Sequence, residues 1–266
     1  MIKINSFNYK EYYKGKNLLN IENPKTIKGE KNGYLTGVLY LAPFNSSGSN
    51  VCKHATKSCI AECLNTSGHG QFDRTQKARI LKTNYFLKHR ELFLNQLYRN
   101  ILSIIKKASK QDLTPVIRLN GTSDLRWENI RFNYNGKSKT IFQAFKHIQF
   151  YDYSKFPLNK RDYNNLPKNY DITFSLAETK QNRIESLKAL KNNMRVAAVY
   201  DHQQKLPAYQ VFNYNGRTYK YPVIDGDKND LRFIDGNNCI IGLKAKGKAK
   251  NSKKGFVLYN NVITIN

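Results

Sequence analysis

Residues 34–44 read YLTGVLYLAPF, and residues 45–50 continue as NSSGSN. The first stretch is crowded with β-branched and aromatic residues and predicts a buried strand. The Gly, Ser and Asn of the second predict the loop that ends it. Similar short apolar runs recur downstream: PVIRL at 115–119, IQFYDY at 148–153, YDITFSLAE at 170–178, RVAAVY at 195–200 and CIIGLKAKG at 239–247. Residues 71–110 read as one or two helices, because Leu81, Phe86, Leu92, Phe93, Leu97, Ile101, Leu102 and Ile105 recur at helical spacing between Lys and Arg. A short helix is expected at 140–146 and a longer one at 180–193. Short strands alternating with helices predict an α/β fold: a partial (β/α) barrel or an open, mostly parallel sheet of about six βα units. That is too few for a closed eightfold barrel.

Two insertions interrupt the alternation. FNYNG stands at 132–136 and again at 212–216. Each sets Asn-Gly between polar-aromatic runs, which predicts β-hairpins near 131–139 and 211–221. Residues 1–33 are polar and Lys/Asn-rich and read as a loosely attached arm. Residues 34–258 read as one α/β domain, and 259–266 as a tail.

The chain has 266 residues, enough to bury a substantial core without staples. No apolar run approaches the roughly 20 residues of a membrane span. The start, MIKINSFNYKEYYKGKN, shows no apolar leader core, and four cysteines do not make a disulfide scaffold. The expectation is a cytoplasmic protein of the host cell, with no membrane association. The net charge of +26 points to a polyanionic partner, most simply nucleic acid. Positive charge concentrates at Arg74, Lys77, Arg79, Lys82, Lys88 and Arg90, and in KAKGKAKNSKK at 244–254. Within that run Lys244, Lys246, Lys248 and Lys250 are the candidate phosphate contacts. A plain solvated loop is the rival reading.

Cys52, Cys59 and Cys63 fall within twelve residues, directly after the first strand and its loop. Such density in a reducing compartment favours a metal over a cross-link. Lys53 and Lys57 are expected to favour the thiolate form. With His54 the set is Cys3His, which suits structural zinc. Without it, three thiolates and an open iron position suit a [4Fe–4S] cluster. Cys239, in the apolar strand CIIGL, is expected in the core.

The other candidates lie at strand ends, where α/β folds hold ligands. Asn120, Gly121, Thr122, Ser123 and Asp124 follow PVIRL; their hydroxyls and amides suit a carboxylate or phosphate. Arg118, Trp127 and Glu128 crowd the same end. Tyr151, Asp152, Tyr153, Ser154 and Lys155 end a second strand, and Ser175 and Glu178 a third. Asp124, Asp152 and Lys155 are the catalytic candidates. Asp225, Asp227 and Asp230, beside Arg232, read either as an Asx-rich turn or, with Asp124 and Asp152, as a metal-dependent nuclease centre. No Walker loop, Gly-x-Ser-x-Gly elbow or His-Glu-x-x-His pattern occurs, so those hydrolase classes are not indicated.

Two resemblances rest on these segments. A three-cysteine loop after the first strand, with an Asn-Gly-Thr-Ser-Asp turn after the second, resembles the layout of radical S-adenosylmethionine enzymes. That likeness implies that the cysteines hold a [4Fe–4S] cluster and that residues 120–124, with Ser175, bind S-adenosylmethionine. The spacing departs from that family: Cys-x6-Cys-x3-Cys here, against Cys-x3-Cys-x2-Cys. YLAPFNSSGSNVCKHATKSCIAECL, RLNGTSDLRWE, QFYDYSK, ITFSLAE, and VIDGDKNDLRF with IGLKAKGKAK are similar to a family encoded by phages and other mobile elements. This likeness covers about residues 25–258. The leading expectation is a radical-SAM-like metalloprotein acting on or with nucleic acid. The alternatives are a zinc-stabilised nucleic-acid-binding or replication protein and a metal-dependent nuclease.

Overall fold

The computed structural model describes residues 7–266. Its strands are β1 (Leu19–Asn20), β2 (Tyr34–Leu39), β3 (Thr114–Arg118), β4 (Arg131–Tyr134), β5 (Lys137–Thr140), β6 (Gln149–Ser154) and β7 (Tyr170–Ser175). They continue as β8 (Val196–Tyr200), β9 (Tyr209–Tyr214), β10 (Arg217–Asp225), β11 (Ile240–Lys244), β12 (Val257–Leu258) and β13 (Val262–Ile265). The helices are α1 (Tyr9–Tyr12), α2 (Pro24–Glu30), α3 (Lys57–Ala61), α4 (Asp73–Lys88), α5 (Arg90–Lys110), α6 (Ile141–Ala144) and α7 (Lys180–Lys191).

The main sheet runs β1-β2-β3-β6-β7-β8-β11-β10-β9-β13, with β12 beside β8. From β2 to β11 the neighbours are parallel and follow chain order. Each new strand is laid beside the last, so the carboxyl ends of successive strands line one edge. The path stays open and closes no barrel. These strands are largely covered on both faces, which is why they read as continuous apolar runs.

Helix α5 covers β2 and β3 with Phe93, Leu94, Leu97, Ile101, Ile104 and Ala108, all buried. Leu92 and Leu102, expected in the same stripe, are 41% and 43% exposed. Each is one residue, about 100° of helix rotation, off the buried row. Gly37 on β2 lets the helix approach: an added Cβ would run into the Ile104 side chain.

Both Asn-Gly pairs turn hairpins. Asn135 and Gly136 have φ of 49° and 76°, and Asn215 and Gly216 have 51° and 70°. These left-handed values are what a two-residue hairpin turn demands. The hairpins are β4–β5, a separate small sheet, and β9–β10, which extends the main one.

The described part of the polar arm is tied to the core. Tyr13 stacks on Tyr85 at 4.8 Å, Leu18 is fully buried, and Gln96 donates to the carbonyls of Tyr13 and Lys16 at 2.8 and 2.7 Å. Aromatic and aliphatic anchors scattered among Lys and Asn do not show in composition. Residues 1–6 of that arm lie outside the described residues. The expected tail contributes β13, whose Ile263 and Ile265 are buried beside β9. No helix among the described residues is long and apolar enough to cross a membrane.

Candidate functional site

The loop after β2 leads to α3, which Thr56 caps by accepting the Cys59 amide at 3.3 Å. The Thr56 hydroxyl and the Ser58 amide both donate to Glu178, just past β7, at 2.6 and 3.0 Å. The cysteine segment is thereby drawn across the carboxyl ends of the parallel strands. Burial pulls the Glu178 carboxyl upward, but these hydrogen bonds win and hold it below the usual range.

Cys52, Cys59 and Cys63 are free and half-buried. Cys52 donates from Sγ to the Thr122 carbonyl at 3.6 Å, joining the cysteine loop to the turn after β3. Burial pushes the Cys52 thiol up to about 12 and also raises Cys63; the neighbouring thiols add to both shifts. The expected help from Lys53 and Lys57 does not decide these values. The cations that pull Cys63 down are Lys155 and Arg79. Cys239 is buried away from them, its thiol bonded to the Gly236 carbonyl at 3.0 Å.

The 120–124 turn divides by role. Asn120 Oδ1 accepts from Ser123 Oγ, the Leu125 amide and Trp127 Nε1 at 2.9, 3.0 and 3.1 Å. Asn120 and Ser123 are therefore occupied inside the turn. Gly121 is needed because a Cβ would meet the Leu39 carbonyl at 2.7 Å. Thr122 remains half-buried, and the Asp124 side chain lies deeper, 12% exposed. Asp124 accepts the Lys155 amide at 2.8 Å and lies 4.0 Å from Arg161. Burial raises its carboxyl nonetheless. Lys155 Nζ donates to Ser175 Oγ at 2.7 Å, so these two candidates from adjacent strand ends meet.

Asp152 does not face this surface. It is fully buried and accepts the Asn120 amide at 2.7 Å and the Tyr170 hydroxyl at 2.9 Å. Arg118 pairs with Asp230 at 2.7 Å, and Asp227 accepts from the Lys244 amide and Lys246 Nζ. Asp225 accepts the Asp227 amide at 2.9 Å, as an Asx turn does. The acidic residues of 225–232 thus serve separate partners rather than one centre. Among the described residues, no group of three or more His, Cys, Asp or Glu side chains forms a site for a single metal ion.

The lysine run also reaches this edge. Its short 3-10 helix, Gly247–Asn251, touches the one at Leu64–Thr66, and Ser252 Oγ donates to buried Glu62. An open groove of about 410 Å³ between them is lined by Thr66, Gln71, Gln76, Gly247 and Lys248. Lys246, Lys248 and Lys250 are exposed and Lys244 is half-buried. In α4, Arg79 and Lys82 turn inward. Arg79 bonds Asn65 and lies over the Tyr40 ring, while Lys82 donates to the Leu18 carbonyl at 2.7 Å.

A family described as Gene product 88 matches residues 16–259, nearly the whole of this architecture. The chain belongs to the Gene product 88 family. That membership fits the phage-encoded family whose segments the sequence carries, and it lends no support to the radical-SAM likeness. No curated protein and no solved structure matches the chain. The contribution of Glu178 to this Gene product 88 site, and the inward turn of Arg79 towards Cys63, are not visible in sequence spacing. Only the polar change at the end of β7 hinted at the first.

Proposed function

We propose that this phage-family protein is a metalloprotein whose Cys52, Cys59 and Cys63 hold a [4Fe–4S] cluster, with nucleic acid as its substrate or partner. The observation that carries the reading is a set of three free, half-buried thiols that influence one another at the carboxyl edge of a parallel sheet, with Cys52 bonded to the Thr122 carbonyl at 3.6 Å. Ligands of α/β folds bind at that edge.

Three thiolates without a fourth protein ligand suit a cluster with one open iron position. Zinc draws its sulfurs round a single centre with bonds of about 2.3 Å, whereas a cubane takes each thiolate at a different iron. The Cys52, Cys59 and Cys63 thiols lie close enough to influence one another's charge. His54, the fourth zinc candidate, packs on the Phe156 ring at 4.4 Å. When bound, such a cluster supplies electrons and an open iron position. The chain's own part is to hold the three thiolates, although burial keeps the Cys52 and Cys63 thiols protonated, with Arg79 and Lys155 offsetting charge at Cys63. Thr122, Lys155 and Ser175 line the adjoining polar surface and suit a carboxylate or phosphate. S-adenosylmethionine is the first ligand to try, because the order of motifs suggests it.

Anaerobic purification followed by iron, sulfide and zinc analysis tests this. Cys52→Ala, Cys59→Ala and Cys63→Ala should each lose iron and visible colour, whereas Cys239→Ala and His54→Ala keep both. A colourless protein with one zinc per chain, lost in His54→Ala, would establish the zinc reading instead.

A further inference from the structure

Phe156, just past β6, is the hub of a cationic rim beside the cysteine loop. The His54 ring meets it edge-on at 4.4 Å, and the Arg126 guanidinium lies 5.5 Å from its centroid. Arg126 also donates to the Lys160 carbonyl at 3.1 Å, drawing the loops after β3 and β6 together. Lys53 stands between Cys52 and His54 in the chain. Lys53, Arg126 and Lys160 are all exposed. Among the described residues, no carboxylate pairs with any of the three. Nearby Arg161, by contrast, is neutralised by Glu128 at 2.7 Å.

We infer that Lys53, Arg126 and Lys160 form a phosphate clamp that lays a single-stranded nucleic acid across the mouth of the cysteine site. The inference deepens the reading above and rests on it for what lies beneath the strand. Three exposed cations on loops gathered round Phe156, without carboxylate partners, are a match for consecutive phosphates. The clamp lies on the loops after β2, β3 and β6, and the lysine run after β11 touches the other end of the cysteine segment at Leu64–Thr66, just past Cys63. A strand held at both places crosses the thiols between them. The thiols are half-buried, so a base must leave a duplex stack to reach them, which favours a single strand over a paired one. A phosphate clamp positions a strand without reading its sequence.

The test is fluorescence anisotropy with a labelled single strand and the matching duplex, across roughly 50 to 200 mM salt, on the anaerobically purified full chain. The triple variant Lys53→Gln/Arg126→Gln/Lys160→Gln should bind the single strand at least tenfold more weakly at low salt. Its log–log salt slope should be shallower by about two, at about 0.7 per phosphate. Lys248→Gln/Lys250→Gln should flatten the slope independently, and iron content should be unchanged in both. A triple variant that binds like the parent, or a parent that binds neither nucleic acid or prefers the duplex, would overturn the clamp. A parent without iron that still shows the effect would overturn the cluster and leave the clamp standing.

Discussion

Asp152 shows how far burial can move one group. Its carboxyl is pushed up to about 7 by burial, although Arg118 and hydrogen bonds from the Asn120 amide and Tyr170 act against the rise. The folded value lies above the unfolded one of about 3.9, so the fold binds this proton more tightly than the unfolded chain does. The stabilisation is therefore full at low pH and is lost as pH rises from about 4 through about 7. Asp152→Asn keeps an acceptor for the Asn120 amide but cannot titrate. Denaturant unfolding across this range should show the parent losing up to about 1.4 kcal/mol per pH unit relative to the variant. Parallel stability curves would show that Asp152 is ionised throughout. At the same scale, Glu178→Ala frees the Thr56 hydroxyl and the Ser58 amide, at a cost of about 1–3 kcal/mol. The apo protein's three thiols should then be alkylated faster, and an unchanged alkylation rate would mean that Glu178 does not restrain the loop.

At the scale of elements, the tightest fit is α5 on β2. Gly37 gives room for Ile104, and an added methyl collides with the end of that side chain. Gly37→Ala should destabilise the fold by about 1–3 kcal/mol through overpacking. Ile104→Val removes the methyl that collides, so the double variant should recover much of that loss. A double-mutant cycle on chemical denaturation reads the coupling, and purely additive effects would show that the helix shifts to make room. The hairpins belong to this scale too. Asn135-Gly136 and Asn215-Gly216 were legible because a two-residue turn with positive φ admits few residue types. Leu92 and Leu102 were misplaced because helical spacing finds a stripe but not its edges.

For the whole molecule the governing quantity is charge. An excess of +26 repels itself in any compact state, and salt screens that repulsion within about 3 Å at 1 M against about 30 Å at 0.01 M. The melting temperature should therefore rise by several degrees between those salt levels. Nucleic acid should raise it at low salt only, since the same ions compete for the contacts. A melting temperature indifferent to salt would mean that buried pairs such as Arg118–Asp230 and Arg161–Glu128 already absorb the repulsion that matters.

The sequence by itself determined the α/β alternation, both hairpins and the cysteine-bearing loop after the first long strand. Those features are local: apolar periodicity, turn stereochemistry and the identity of a few reactive side chains lie within a dozen residues of one another. The tertiary structure decided which polar groups meet. Thr56 and Glu178 are 122 positions apart, Arg118 and Asp230 are 112, and the Ser252–Glu62 contact spans 190. Strand order brings each pair together, and no pattern in the intervening residues encodes that order. Burial then assigned the roles. Asp152 went behind the site and Asp124 to its edge. The lysines beside Cys52 were outweighed by desolvation, because the energy of a charge depends on what surrounds it in space rather than on what precedes it in the chain.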